Sequence, residues 1–136
     1  MGILIDSNVL IDLERHGADI TSKIHGREKE DMFLSVISAS ELLHGVHRAM
    51  SAAVKAQRLA FVEAVLDNFS ILELDLAAAR SHAQLWSALE SRGVMIGLHD
   101  CWLAATCLAH GLTLITSNRR EFERVSGLKV EVWSDA

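Results

Sequence analysis

Residues 3–11 read ILIDSNVLI, an apolar run that breaks for Asp6, Ser7 and Asn8 and resumes at once. A strand that merely crossed a core would have no use for three small polar groups in its middle. A strand ending in a turn has such a use, and so has one that delivers a carboxylate to a site. Gly2 to Ile5 therefore reads as a short buried strand. Asn8 to Arg15 reads as the helix that carries Val9, Leu10 and Ile11 back into the core.

The same alternation repeats outward from this start. Met32 to Ile37 (MFLSVI) is a second strand, and from Ser40 the pattern turns helical with Leu43, Val46 and Met50 on one face. A further helix repeats Leu59, Val62, Leu66 and Phe69 at three and four, before a third strand at Ile71 to Leu74. Ala79, Ala83, Trp86 and Leu89 stripe the next helix, which Gly93 closes. His99 to His110 is a helix stopped by Gly111, Leu112 to Thr116 (LTLIT) a fourth strand, and Leu128 to Val132 (LKVEV) a fifth. His16 to Glu30 is polar, helical in part and exposed. Short apolar strands alternating with amphipathic helices predict an α/β fold with a mostly parallel sheet covered on both faces. In such sheets ligands collect beyond the carboxyl ends of the strands.

The chain has 136 residues, half of them hydrophobic and 23% charged, with no proline. That is one domain's worth of sequence, residues 1–136, with enough apolar material for a core. No apolar run approaches the roughly 18 residues of a membrane span, and the early Asp6 argues against a signal peptide. Cys101 and Cys107 fall in one predicted helix about 9 Å of rise apart, too far to bridge. Two unpaired thiols fit a reducing, cytoplasmic setting. The net charge of −5 speaks against a general nucleic-acid binder, unless carboxylates gathered at a site supply part of it. Basic residues cluster at Arg119, Arg120 and Arg124 and again at Arg48, Lys55 and Arg58.

Four polar positions follow strand ends or open helices: Asp6, Glu41, Asp100, and the pair Asn118 and Glu121. Each has a structural explanation, because free N–H groups at a helix start favour acids and Asn. Ser38-Ala39-Ser40-Glu41 and Asn118-Arg119-Arg120-Glu121 both match a capping box. Together the positions mean more. In a parallel α/β sheet these helix starts share one edge, where Asp6, Glu41 and Asp100 would stand close enough to repel and to raise each other's pKa unless a cation intervened. Carboxylate, carbonyl and water form the set that Mg²⁺ or Mn²⁺ prefers, and Asn118 could add an amide oxygen or hold a water. Such a site binds phosphate oxygens and neutralises charge on a phosphodiester under attack.

The segments ILIDSNVLI, SVISASELLHGV, HDCWLAATCLAHGLTLITSNRREF and GLKVEVW together resemble, in order and spacing, PIN-domain ribonucleases, and more narrowly the VapC toxins of bacterial type II toxin–antitoxin pairs. The resemblance runs from Met1 to Trp133. It implies a three-layer α/β/α PIN domain with a five-stranded sheet, and Mg²⁺- or Mn²⁺-dependent cleavage of RNA. It further implies a homodimer, neutralisation by a VapB antitoxin, and operator DNA contacted only through that antitoxin. Residue by residue, the family's acidic triad falls on Asp6, Glu41 and Asp100. Asn8 falls on the Asn of the first motif, Ser7 stands where Thr is commoner, and Thr116 begins the fourth motif. Many PIN domains carry Asp where this chain has Asn118, so a second metal should bind more weakly here, and Glu121, three residues on, is placed to reach the site across one turn. Arg119, Arg120 and Arg124 are the cations placed to meet RNA phosphates. The apolar surplus between Glu41 and Phe69 is where an antitoxin segment is expected.

Other chemistries fit less well. A haloacid-dehalogenase-type loop would need an acid at Asn8. A receiver domain would need paired acids after the first strand, and Asp75 opens a helix instead. Glu41-x-x-His44 lacks the second Glu-x-x-His of a di-iron protein, and His44-x-x-His47 suits an exposed face better than zinc. The reading from another class is a non-catalytic PIN-like module that binds RNA or protein, and Asn118 is the one feature that favours it.

Overall fold

The computed structural model describes residues 2–17, 20–27 and 31–133. Strand β1 (Gly2–Ile5) leads into helix α1 (Ser7–Arg15) and the short α2 (Ile20–Ile24). β2 (Asp31–Ser35) is followed by α3 (Val36–His47) and α4 (Ala52–Asn68), and β3 (Ser70–Leu72) by α5 (Leu76–Ser91) and α6 (Leu98–His110). β4 (Thr113–Ile115), the single-turn α7 (Arg119–Phe122) and β5 (Lys129–Glu131) complete the order. Among the described residues the strands form a five-stranded sheet, β3-β2-β1-β4-β5, with every neighbouring pair parallel. The chain steps outward from β1 to β3 and then returns to the other side of β1. The order therefore reverses between β1 and β4, and a crevice opens at their carboxyl ends.

Strand alternation explains the two apolar layers. On β1, Ile3 and Ile5 enter a core with Val9, Leu10, Leu34 and Val65. Leu4 points the other way, into a core with Leu85, Leu103, Ala104 and Phe122. Leu4, Ile5 and Leu114 are fully buried, as a sheet covered on both faces requires. Both cysteines are buried and unpaired in α6, and burial pushes the Cys107 thiol upward. They are packing groups. Gly111 ends α6 at φ 65°, a left-handed position that glycine occupies without strain.

Several expectations are corrected. The second strand stops at Ser35, not Ile37, because the Ser35 hydroxyl accepts the Ile37 N–H at 3.1 Å and caps a helix already begun at Val36. Ser38 consequently lies inside α3 and caps nothing, so Ser38–Glu41 is not a capping box. Met50 lies beyond α3 and is 98% exposed. On α5 the buried stripe is Ala78, His82, Leu85 and Leu89, which shares Leu89 with the predicted one and is otherwise displaced by one residue. Trp86 is turned outward because His82 takes the inner place, its ring stacked on Trp102 at 3.8 Å. The third strand is Ser70–Leu72 rather than Ile71–Leu74, and the fourth and fifth are likewise shorter than predicted. Between His16 and Glu30 the helical part is α2; residues 18–19 and 28–30 lie outside the described residues.

Candidate active site

The crevice between β1 and β4 is built by backbone before any side chain enters it. Ile5 and Ile115 pair in register, and the Asp6 N–H donates to the Ile115 carbonyl at 2.8 Å. The ladder therefore runs one residue past the strand and fixes the Asp6 carboxylate at the sheet edge. Thr116, fully buried, donates its hydroxyl to Asp6 Oδ2 at 2.9 Å. The same hydroxyl oxygen accepts the Asn118 N–H at 3.0 Å. Asp6 occupies the N-cap position of α1 without a geometrically formed cap bond, and the hydrogen bond its carboxylate does form is with Thr116. Burial raises its pKa, against the pull of Thr116 and the Asn8 and Ser7 N–H groups, and Glu41 raises it further.

Glu41 is the sixth residue of α3, too far along for a capping role, and it reaches the same crevice. Its Oε1 accepts the Ser7 hydroxyl at 3.1 Å, and its Oε2 stands 3.5 Å from His99 Nδ1. Asp100 lies in the first turn of α6. Its pKa is pushed up to about 7, first by burial, then by the charges of Asp6 and Glu121, by a hydrogen bond with Glu121, and by the charge of Glu41. Four carboxylates from four elements thus act on one another across one small volume, as convergent helix starts predict.

Asn118 and Glu121 form neither bond of a capping box. Asn118 makes no cap bond; its side-chain amide donates to Glu121 Oε2 at 2.9 Å, while Glu121 Oε1 accepts the Gly97 N–H at 2.9 Å. Glu121 is therefore pinned at both oxygens between α7 and the loop that leads to Asp100. The Asn8 side-chain oxygen faces the Ser117 N–H at 3.4 Å, bracing the β4–α7 loop. Arg120 and Arg124, with Asn118 and Glu121, line a cavity of about 320 Å³ beside the carboxylates. Arg119 is exposed and outside that lining. Two participants carry no sequence signal strong enough to single them out: Gly97, which acts through its N–H, and His99, whose only mark is its place next to Asp100.

As the side chains stand, among the described residues no three His, Cys, Asp or Glu groups are drawn tightly enough to enclose an ion. The chemistry of the donor set nonetheless fits a hard cation. Three oxygen-donor carboxylates, two of them buried or half-buried with raised pKa values, repel one another and lack a basic side chain among the partners that set those values. A divalent cation would remove that repulsion.

A model of the PIN domain matches residues 3–128. "Ribonuclease VapC1" of Rickettsia felis is 34% identical over 130 residues, covering 96% of this chain and 95% of its own. "tRNA(fMet)-specific endonuclease VapC" of Shigella flexneri is 29% identical, with 96% and 97% covered. Among solved structures, a chain of the DNA-bound VapBC complex of Salmonella typhimurium superposes with a TM-score of 0.88 at 27% identity, over 98% of this chain and 99% of that one. These matches span the carboxylate crevice and both cores, and by them the chain belongs to the PIN-domain family, among the VapC ribonucleases.

Proposed function

We propose that the protein is a divalent-metal-dependent endoribonuclease, the toxin of a VapBC-type pair, in which Asp6, Glu41 and Asp100 hold Mg²⁺ or Mn²⁺. The observation that carries this reading is Asp100, lifted to about 7 by burial and by three neighbouring acids. A stable fold keeps such a cluster only where something offsets its repulsion. Glu121 supplies the fourth negative charge in place of Asn118, whose amide anchors it. This weighs against the non-catalytic module that Asn118 favours.

A bound divalent ion supplies Lewis-acid stabilisation of the charge that builds on the phosphodiester during hydrolysis. The chain does the rest. Thr116 fixes the Asp6 carboxylate, Ser7 fixes Glu41, and Asn8 with Asn118 sets the β4–α7 loop. Arg120 and Arg124 bind the RNA backbone through the cavity they line with Glu121, and the exposed Arg119 adds positive charge on the same turn.

Two surfaces support the partners. A groove of about 450 Å³ between α1, α3 and α4 combines Ile11 and Met50 with Glu14, Arg15, Glu41, Arg48 and Arg58, and suits a segment of a VapB antitoxin that brings both apolar and charged side chains. Operator DNA is then reached through the antitoxin. Trp86, Met95 and Leu98, 57%, 86% and 68% exposed, rim a second groove on α5 and α6 and supply the apolar area a homodimer would bury. No helix among the described residues is long and apolar enough to cross a membrane.

Incubation of antitoxin-free protein with a small-RNA pool, in Mg²⁺, Mn²⁺ or EDTA, tests the reading. Discrete fragments that require metal and are absent with Asp6→Asn are expected. Cleavage that survives EDTA would overturn the metal requirement, and binding without cleavage by folded protein would return the non-catalytic reading.

A further inference from the structure

We infer that, in the antitoxin-free protein, the groove between α1, α3 and α4 carries the RNA backbone away from the crevice, its phosphates met by Arg15, Arg48 and Arg58. The inference rests on the proposed ribonuclease reading for the occupant of the groove, and not on the ion. A strand cut in the crevice has phosphates on both sides of the scissile bond. The cavity beside α7 takes in Glu121 and the groove takes in Glu41, so both open from the cluster of acids. Arg120 and Arg124 serve the first. The second basic cluster of the sequence, Arg48, Lys55 and Arg58, stands outside that arrangement. The fold brings Arg15 to two of its members, along the groove.

Arg48 is the C-cap of α3 and follows Glu41 by two helical turns on one face, about 10 Å of rise. Helix α3 thus runs from the crevice to a cation. Arg58 of α4 is fixed in place: its Nη1 donates to the Gly45 carbonyl at 2.9 Å, and its Nε stands 3.9 Å from Glu14 Oε1. Glu14 is thereby matched within the groove. Arg15 and Arg48 are exposed, and among the described residues neither pairs with an acid. Two guanidinium groups without acidic partners, at a groove that opens on a site for phosphodiesters, complement a polyanion. Guanidinium groups take phosphate oxygens two at a time. Such contacts fix the strand in place without reading its sequence.

The test is fluorescence anisotropy of a labelled, mixed-sequence single-stranded RNA titrated with antitoxin-free protein. The protein carries Asp6→Asn so that nothing is cut, and binding is read in Mn²⁺ and in EDTA over a range of KCl. Arg15→Gln with Arg48→Gln is compared with Lys55→Gln, which removes a charge of the same basic cluster outside the groove lining. Two lost phosphate contacts at ~0.7 each should flatten the log–log salt slope by about 1.4 and, at about 0.1 M salt, weaken binding about 25-fold. Lys55→Gln should change neither. Unchanged affinity and slope in the double variant would leave the groove to the protein partner alone and overturn the inference. An equal loss per charge in Lys55→Gln would assign the effect to net charge and overturn it too, as would RNA that binds the Asp6→Asn protein in neither buffer. Intact RNA affinity in the double variant, beside metal-dependent cleavage by wild type, refutes the groove alone. The expected loss of affinity, beside a wild type that never cuts, upholds the groove and refutes the nuclease.

Discussion

Replacing Asp100 with Asn should stabilise the metal-free protein while destroying the ribonuclease. The Asp100 carboxyl moves from an ordinary value of 3.8 to about 7 on folding. An acid whose folded-state pKa is raised takes up a proton on folding between those two values. Stability therefore falls as pH rises from about 4 to 7, and the ionised group burdens the fold at every higher pH. At 1.36 kcal/mol per unit the whole shift corresponds to roughly 4 kcal/mol. The side chain is only part-buried, and solvent screening leaves about half of that, ~2 kcal/mol. For a domain of this size that amounts to a rise in Tm of roughly 6–10 °C for Asp100→Asn at pH 8 in EDTA. At pH 5, where wild-type Asp100 is already protonated, the gain should largely vanish. Added Mn²⁺ should raise the wild-type Tm and leave the variant's unchanged. Thermal unfolding followed by circular dichroism reads all three. A variant less stable than wild type at pH 8 in EDTA, or a difference independent of pH, would refute the claim that repulsion and burial at this carboxylate work against the fold.

Thr116→Val removes one hydroxyl that both donates to Asp6 and accepts from the Asn118 N–H. It should cost about 1–3 kcal/mol in denaturant unfolding and weaken Mn²⁺ binding, whereas Thr116→Ser should keep most of both. The double swap Arg120→Glu with Arg124→Glu should raise KM for RNA strongly and flatten its salt dependence by about 1.4 in log–log slope, two lost phosphate contacts at ~0.7 each; an unchanged slope would take these arginines out of the RNA path. On α5, Leu85→Ala should cost about 2–4 kcal/mol because Leu85 is 8% exposed. Trp86→Ala on the same helix should leave monomer stability nearly unchanged and act instead on self-association, read by sedimentation.

Period and punctuation carried most of the architecture into the sequence. β1 is apolar from Gly2 to Ile5 and its end is marked by Asp6, while Gly111 marks the end of α6. Boundaries failed where propensity and local capping disagree. Val36 and Ile37 are β-branched and read as strand, yet the Ser35 hydroxyl starts the helix there. The face of α5 failed for a different reason. Trp86 outranks His82 in apolarity, but the flat imidazole stacks on Trp102 and sets the rotation. That is a tertiary contact with no trace in the helix's own pattern. At the site, acids following strand ends were legible because parallel topology brings such positions together. The division of labour between Asn118 and Glu121 was not, since both capping and ligation predict the same residue types at that spacing. Only the Gly97 N–H, 24 residues away from Glu121, decides between them. His99 escaped for a like reason: its partner Glu41 lies on another helix.

The reading proposed for the site is that a divalent cation held by the acids at the β1–β4 edge is required for RNA cleavage. The most direct test is to titrate Mn²⁺ into chelator-stripped protein and follow binding by electron paramagnetic resonance alongside the initial rate of cleavage of one defined RNA. The account predicts that the two curves share a midpoint for wild type, and that both collapse in Asp6→Asn, whose fold survives. Binding that persists in Asp6→Asn, or cleavage that is complete before Mn²⁺ binds, would contradict it.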